Sequence, residues 1–150
     1  MPKKKSALLP NNGSTYETFL RSVKLYSLAL DEMSAKIDRD KYWSPLKKDD
    51  SLVREIGSVF KALNVKDDHF DVEAKFELAI SLKSNKFEIL TITCTYSAHF
   101  HAAPDLNAEA AKQFAKSEAK IIVWPYFRNF VSDMTGRMHI PPITIPLALG

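Results

Sequence analysis

The side chains best suited to chemistry are few: four histidines and a single cysteine in 150 residues. His99 and His101 lie two apart in an alternating stretch, so they share one face of a strand and could share a metal ion. No pattern supplies a third ligand. The other odd positions of the stretch carry Thr91, Thr93, Thr95 and Ser97. Half-exposed strand histidines are the plainer reading. His69, inside Asp67-Asp68-His69-Phe70-Asp71, is either part of a ligand cluster or an acidic turn entering a strand. His139 follows the stop of a helix and suits its C-terminal dipole. Cys94 falls on the apolar face of its strand and reads as an inert core residue. There is no Gly-rich phosphate loop, nucleophile elbow or paired-Cys motif. The sequence therefore gives no reason to expect an enzyme, a metal or a cofactor.

The elements that carry these residues are those of an ordinary globular chain. Apolar residues make up 45% and charged residues 26%, which is enough for a core in one domain. A net charge of +3 is too small to imply nucleic-acid binding without a clustered patch. The longest apolar run, Ile121 to Phe127, is far too short to span a bilayer. One cysteine excludes an internal disulfide and fits a reducing compartment. At the N-terminus, Lys3-Lys4-Lys5 is followed by an apolar stretch that stops at Pro10, too short for an export signal. The expectation is a cytoplasmic protein with a disordered basic tail over residues 1–15 and one domain over 16–150.

Val72, Ala74, Phe76, Leu78, Ile80 and Leu82 alternate with Glu73, Lys75, Glu77 and Ser81, which predicts an antiparallel strand with one buried face. Ser84-Asn85 predicts a two-residue turn, and Phe87 to Ala102 returns as the partner strand, with Leu90, Ile92, Cys94, Tyr96, Ala98 and Phe100 in phase. Phe19 to Leu30 reads as a strand whose phase slips between Leu25 and Leu28, as a bulge would make it. Ile37 to Leu46 reads as a polar loop whose Tyr42 and Trp43 either fold back on the core or line a groove. Residues 51–63 are ambiguous: Leu52, Ile56, Val59, Phe60 and Leu63 have helical spacing, whereas Gly57 weakens a helix. Asp105 or Asn107 opens a helix. Pro125 then either starts a second helix or kinks a long one, and Gly136 is its natural stop. Ile140 to Leu149 is extended, apolar and Pro-rich, so it must pack against something or cross a partner. This much apolar surface favours an oligomer and a binder of apolar segments.

The stretch Ile121-Ile-Val-Trp-Pro-Tyr-Phe-Arg-Asn-Phe, with Ser132 and the run Ile140 to Pro146 after it, resembles the C-terminal half of the SecB family of bacterial export chaperones. The paired long strands and the early strand followed by a Trp-containing loop are also similar to that family. The resemblance implies an α+β fold: a twisted four-stranded antiparallel sheet with helices packed on one face. It implies an ATP-independent holdase that binds unfolded polypeptides in apolar surface grooves, assembled as a dimer or a dimer of dimers. Carried over, the groove would use Tyr42, Trp43 and Leu46 from the loop, and Tyr126 and Phe130 from the helix. It also favours an extended conformation over residues 51–63. Family members that serve export are strongly acidic and dock a translocase motor ATPase through an acidic sheet face. Here the net charge is +3 and the corresponding face carries Thr91, Thr93 and Thr95, so holdase binding carries over better than motor docking. Two alternatives stand beside export: a dedicated SecB-like chaperone of a toxin–antitoxin system, and a non-catalytic adaptor subunit with one permanent partner.

Overall fold

The structure is a computed structural model. It describes residues 12–48, 51–103 and 108–146, with side chains from Tyr16 onward except those of residues 44–48. Four strands, β1 (Lys24–Ile37), β2 (Leu52–Leu63), β3 (His69–Leu82) and β4 (Glu88–His101), form one sheet. The strand order is β1-β4-β3-β2, and every neighbouring pair is antiparallel. The helices are α1 (Asn12–Ser22), α2 (Arg39–Lys48), α3 (Ala108–Lys116) and α4 (Glu118–Arg137).

The alternation in β3 and β4 is what the sheet buries. Phe70, Val72, Ala74, Phe76, Leu78, Ile80 and Leu82 are buried, as are Leu90, Ile92, Cys94, Tyr96, Ala98 and Phe100. Onto this face α4 lays Val123, Phe127 and Val131, and α3 lays Ala111, Phe114 and Ala115. Phe127 stacks on Phe76 with ring centroids 4.5 Å apart, and Phe114 meets Phe100 edge-on at 4.9 Å. The opposite face of the two central strands is half-exposed. The expected α+β fold is therefore present, and β2 is extended along its whole length, paired from Leu52↔Leu82 to Leu63↔Asp71.

Several local expectations need correction. Phe19 to Ser22 is not strand: it is the last turn of α1, where Phe19 packs edge-on against Phe114 at 6.1 Å. Asn12 to Thr15, placed in the disordered tail, are helix backbone; residues 1–11 lie outside the described residues. The β3–β4 connection spans residues 83–87 rather than two, closed by Lys86 N–H donating to the Leu82 carbonyl, with Lys86 at φ 59°. Residues 37–46 are not a loop. Asp38 caps a helix there, its carboxylate accepting from the Lys41 N–H at 3.1 Å. The proposed openers Asp105 and Asn107 lie outside the described residues.

Pro125 lies inside α4, seven residues from its first residue, on the exposed outer face. There the carbonyl left unbonded by the missing N–H is that of Ile121, which also faces solvent. The helix runs through Gly136 to Arg137, with Met138 as its C-cap and His139 at φ 57° after it. His139 N–H bonds to the Gly136 carbonyl and Ile140 N–H to the Thr135 carbonyl, the two closing bonds of a Schellman motif. Buried Ile140 then starts the extended segment.

Candidate functional site: an apolar strip beside the long helix

The direction of α4 follows from its two ends. Near its start, Glu118 accepts a hydrogen bond from Tyr16 on α1 at 2.6 Å, and α1 leads directly into β1. Just past its end, the Met138 carbonyl accepts one from Arg39, two residues beyond β1. Thus α4 travels in the same sense as β1 while lying over β3 and β4.

Among the described residues no helix covers β1 on the side where α4 lies. Its register pairs Leu25 with Phe100, Leu28 with Ala98, Leu30 with Tyr96 and Met33 with Cys94, all positions whose β4 partner is core. Register shifts at Leu25/Ser27 and Leu30/Glu32 keep these apolar side chains on one face, despite a sequence phase that slips. On the covered strands such positions are buried, yet here Leu25 is 36%, Leu30 41% and Met33 62% exposed. At 100° per residue, Tyr126 lies on the flank of α4 opposite Trp124 and Arg128. Those two face the C-terminal segment over β2, through bonds to the Pro146 and Ile145 carbonyls. Tyr126 therefore borders the β1 side, 44% exposed, with its carbonyl accepting from Tyr96 Oη at 3.2 Å. The result is a strip with an apolar floor on β1, a tyrosine on its wall and α2 at its far end. It can remove apolar side chains from water.

The residues expected to line a groove fare differently. Tyr42 is partly buried against the core and meets Trp43 edge-on at 5.3 Å; Trp43 is exposed. Tyr42 therefore folds back on the core, whereas Trp43 points outward. The Leu46 side chain lies outside the described residues. Phe130 is only 8% exposed and belongs to the core. The stretch of α4 from Tyr126 to Met138, at 1.5 Å per residue, separates Tyr126 from the α2 end by roughly 18 Å, so the aromatics mark two places along one strip, not one pocket. The floor residues Leu25, Leu28, Leu30 and Met33 were absent from the expected set. Their phase was visible in sequence, but which side a helix would leave bare was not.

Three of the four histidines gather at one corner of the opposite sheet face. His69 is paired in register with His101 and Asp71 with His99. Ring centroids of His69 and His99 are 5.4 Å apart, those of His99 and His101 5.3 Å, and Tyr26 stacks on His101 at 4.6 Å. Asp71 holds His99 Nδ1 at 2.5 Å and accepts from Asn64 at 2.8 Å. Burial works to raise the Asp71 pKa, but these bonds and the charge of the imidazoles outweigh it and the net shift is downward. Among the described residues no group of three or more His, Cys, Asp or Glu is arranged to hold a metal ion. Cys94 is buried, and burial pushes its thiol up to about 12. No helix among the described residues is long and apolar enough to cross a membrane.

This strand order under one long helix is the SecB-like fold. A structure of the SecB-like chaperone of Mycobacterium tuberculosis, in complex with a ChAD peptide from the HigA1 antitoxin, superposes with a TM-score of 0.71. It covers 87% of this chain and 94% of its own at 17% identity, a likeness of fold. A Streptococcus agalactiae protein of unknown function matches more loosely, with a TM-score of 0.51 at 11% identity over 83% of this chain and 96% of that one. No protein-family model and no curated protein matches the sequence.

Proposed function

We propose that this protein is a non-catalytic, ATP-independent holdase that binds unfolded polypeptides along the β1 strip. The observation that carries the reading is the exposure of Leu25, Leu30 and Met33 on the side of the sheet that is core along β3 and β4, with Tyr126 beside them. An unfolded client presents apolar side chains that the strip takes out of water at roughly 25 cal/mol per Å². A long client meets several such strips on an oligomer, and its weak contacts reinforce one another through effective concentration. Binding the unfolded state holds it away from aggregation without any chemical step. The protein acts in the cytoplasm as a dimer or dimer of dimers, with Trp43 extending the strip at the α2 end.

The test is the aggregation of a chemically unfolded reporter enzyme, followed by light scattering without ATP. Suppression near a one-to-one ratio is expected. Undiminished aggregation beside a folded protein removes the general holdase reading.

A second reading is a dedicated chaperone of one aggregation-prone antitoxin. What favours it is the fold neighbour, whose structure contains an antitoxin peptide. A single stoichiometric partner co-purifying from the native cell, together with failure on the reporter enzyme, selects this reading over the general one.

A further inference from the structure

The strip leaves one flank of α4 bare, whereas the other flank is occupied by the chain's own C-terminal segment. That segment, residues 140–146, is neither helix nor strand, and beyond Ile140 it makes no backbone-to-backbone hydrogen bond among the described residues. Three side chains hold it instead. Arg54 of β2 donates to the Thr144 carbonyl at 2.9 Å, Arg128 of α4 to the Ile145 carbonyl at 3.0 Å, and Trp124 Nε1 of α4 to the Pro146 carbonyl at 2.7 Å. Ile145 is buried between them.

Three donors from two elements therefore read three consecutive carbonyls, and one apolar pocket reads a side chain. Carbonyls are present in every peptide, so two of the three recognition features of this seat are independent of sequence or nearly so: its donors and its extended shape. The segment's own contribution is Ile140, Ile143 and Ile145, which pack on the core, and the prolines that keep it extended. Because it is not part of the sheet ladder, it can leave without breaking a strand pair.

We propose that the seat between α4 and β2 is a second polypeptide-binding site, a groove for an extended apolar segment that residues 140–146 occupy until a client segment replaces them. This rests on the holdase reading and adds to it a site, the chemistry of its occupant, and a built-in competitor. The occupant is an extended stretch with a branched apolar side chain flanked by carbonyls free of internal hydrogen bonds, which is what an unfolded chain offers.

The experiment places a bimane dye on Pro146→Cys, an exposed position whose carbonyl accepts from the Trp124 indole, so that the indole quenches the dye on contact. Cys94 is buried and stays unlabelled. The client is reduced, carbamidomethylated α-lactalbumin, whose binding is measured separately by the anisotropy of a label on the client. Expected is a client-dependent rise of bimane emission to the level of the Trp124→Phe protein, saturating together with the anisotropy. A free peptide of residues 140–150 should produce the same rise. Client binding with no rise overturns this inference and leaves the β1 strip as the holdase surface. No client binding overturns the holdase reading itself and this one with it.

Discussion

Replacing Leu30 and Met33 together by serine tests whether the β1 strip holds clients. Complete burial of a Leu or Met side chain stabilises by roughly 1.5–3 kcal/mol. Met33 is still 62% exposed and Leu30 41%. Scaled by those fractions, covering both under a client contributes about 1.5–3 kcal/mol, which at 1.4 kcal/mol per decade is roughly a ten- to hundredfold loss of affinity. The fold should tolerate the change, since exposed substitutions away from core and caps cost within about 0.5 kcal/mol. The assay is anisotropy of a labelled unfolded client titrated with protein, alongside the urea midpoint and the mass in solution. Val59→Ser is the control. Val59 is 65% exposed and lies on the other sheet face, on β2, so it should leave affinity unchanged. A double variant that is folded, of wild-type mass and of wild-type affinity refutes the assignment of the strip.

Phe127→Ala should lower stability by about 3–5 kcal/mol in urea denaturation, because its ring is fully buried and stacked on Phe76. Phe130→Ala should likewise cost stability before it costs client affinity; the reverse result would return Phe130 to the groove. Native protein should leave Ellman's reagent unreacted at neutral pH, with one thiol titrating on unfolding, because burial holds the Cys94 thiolate out of reach. The Asp71 pKa is lower folded than unfolded, so its carboxylate contributes stability above the unfolded value of about 3.9 and loses it as pH falls through the folded one. Urea midpoints of wild type and Asp71→Asn should therefore differ more at pH 7 than at pH 3; an equal gap at both removes the linkage.

The hairpin of β3 and β4 could be read from the sequence because each central strand is buried on one face only, so burial and polarity alternate together. β2 could not, although it is just as extended. Its helix-side positions include Arg54 and Ser58 among Ile56 and Phe60, since the Arg54 side chain is needed to hold the Thr144 carbonyl. That polar residue breaks the period of two and leaves a spurious helical spacing. α2 was missed for a related reason: a short helix bounded by a capping Asp38, with Tyr42 packed on the core, has little apolar periodicity to show. Among the site residues, Tyr126 and Phe130 are one turn apart on α4, and sequence alone treats them alike. The packing separates them: Phe130 is buried in the core, while Tyr126 is 44% exposed. The strip itself was legible as a phase, Leu25, Leu28, Leu30 and Met33, but its exposure is a tertiary fact set by where α4 crosses.

An edge strand that shows apolar side chains to solvent is a template for self-association, so the proposed holdase has to separate client capture from fibril growth. β1 does so through its two irregularities. The register shift at Leu30/Glu32 places Asp31 outside the ladder, and Ser97 Oγ of the neighbouring strand donates to its carboxylate at 2.5 Å, fixing the bulge. The shift at Leu25/Ser27 places Tyr26 outside it, where the ring is stacked on His101. Each bulge interrupts the even row of N–H and C=O groups along the free edge and increases the local twist. The apolar side chains meanwhile stay on one face, as the pairing of Leu25, Leu28, Leu30 and Met33 with core positions of β4 shows. Side-chain capture is thereby kept while indefinite strand addition is obstructed, and Lys24, Glu32 and Lys36 add charges that oppose a flat stack of copies. The same two bulges that shift the sequence phase of β1 let it expose an apolar face without offering a second copy an even edge to pair with.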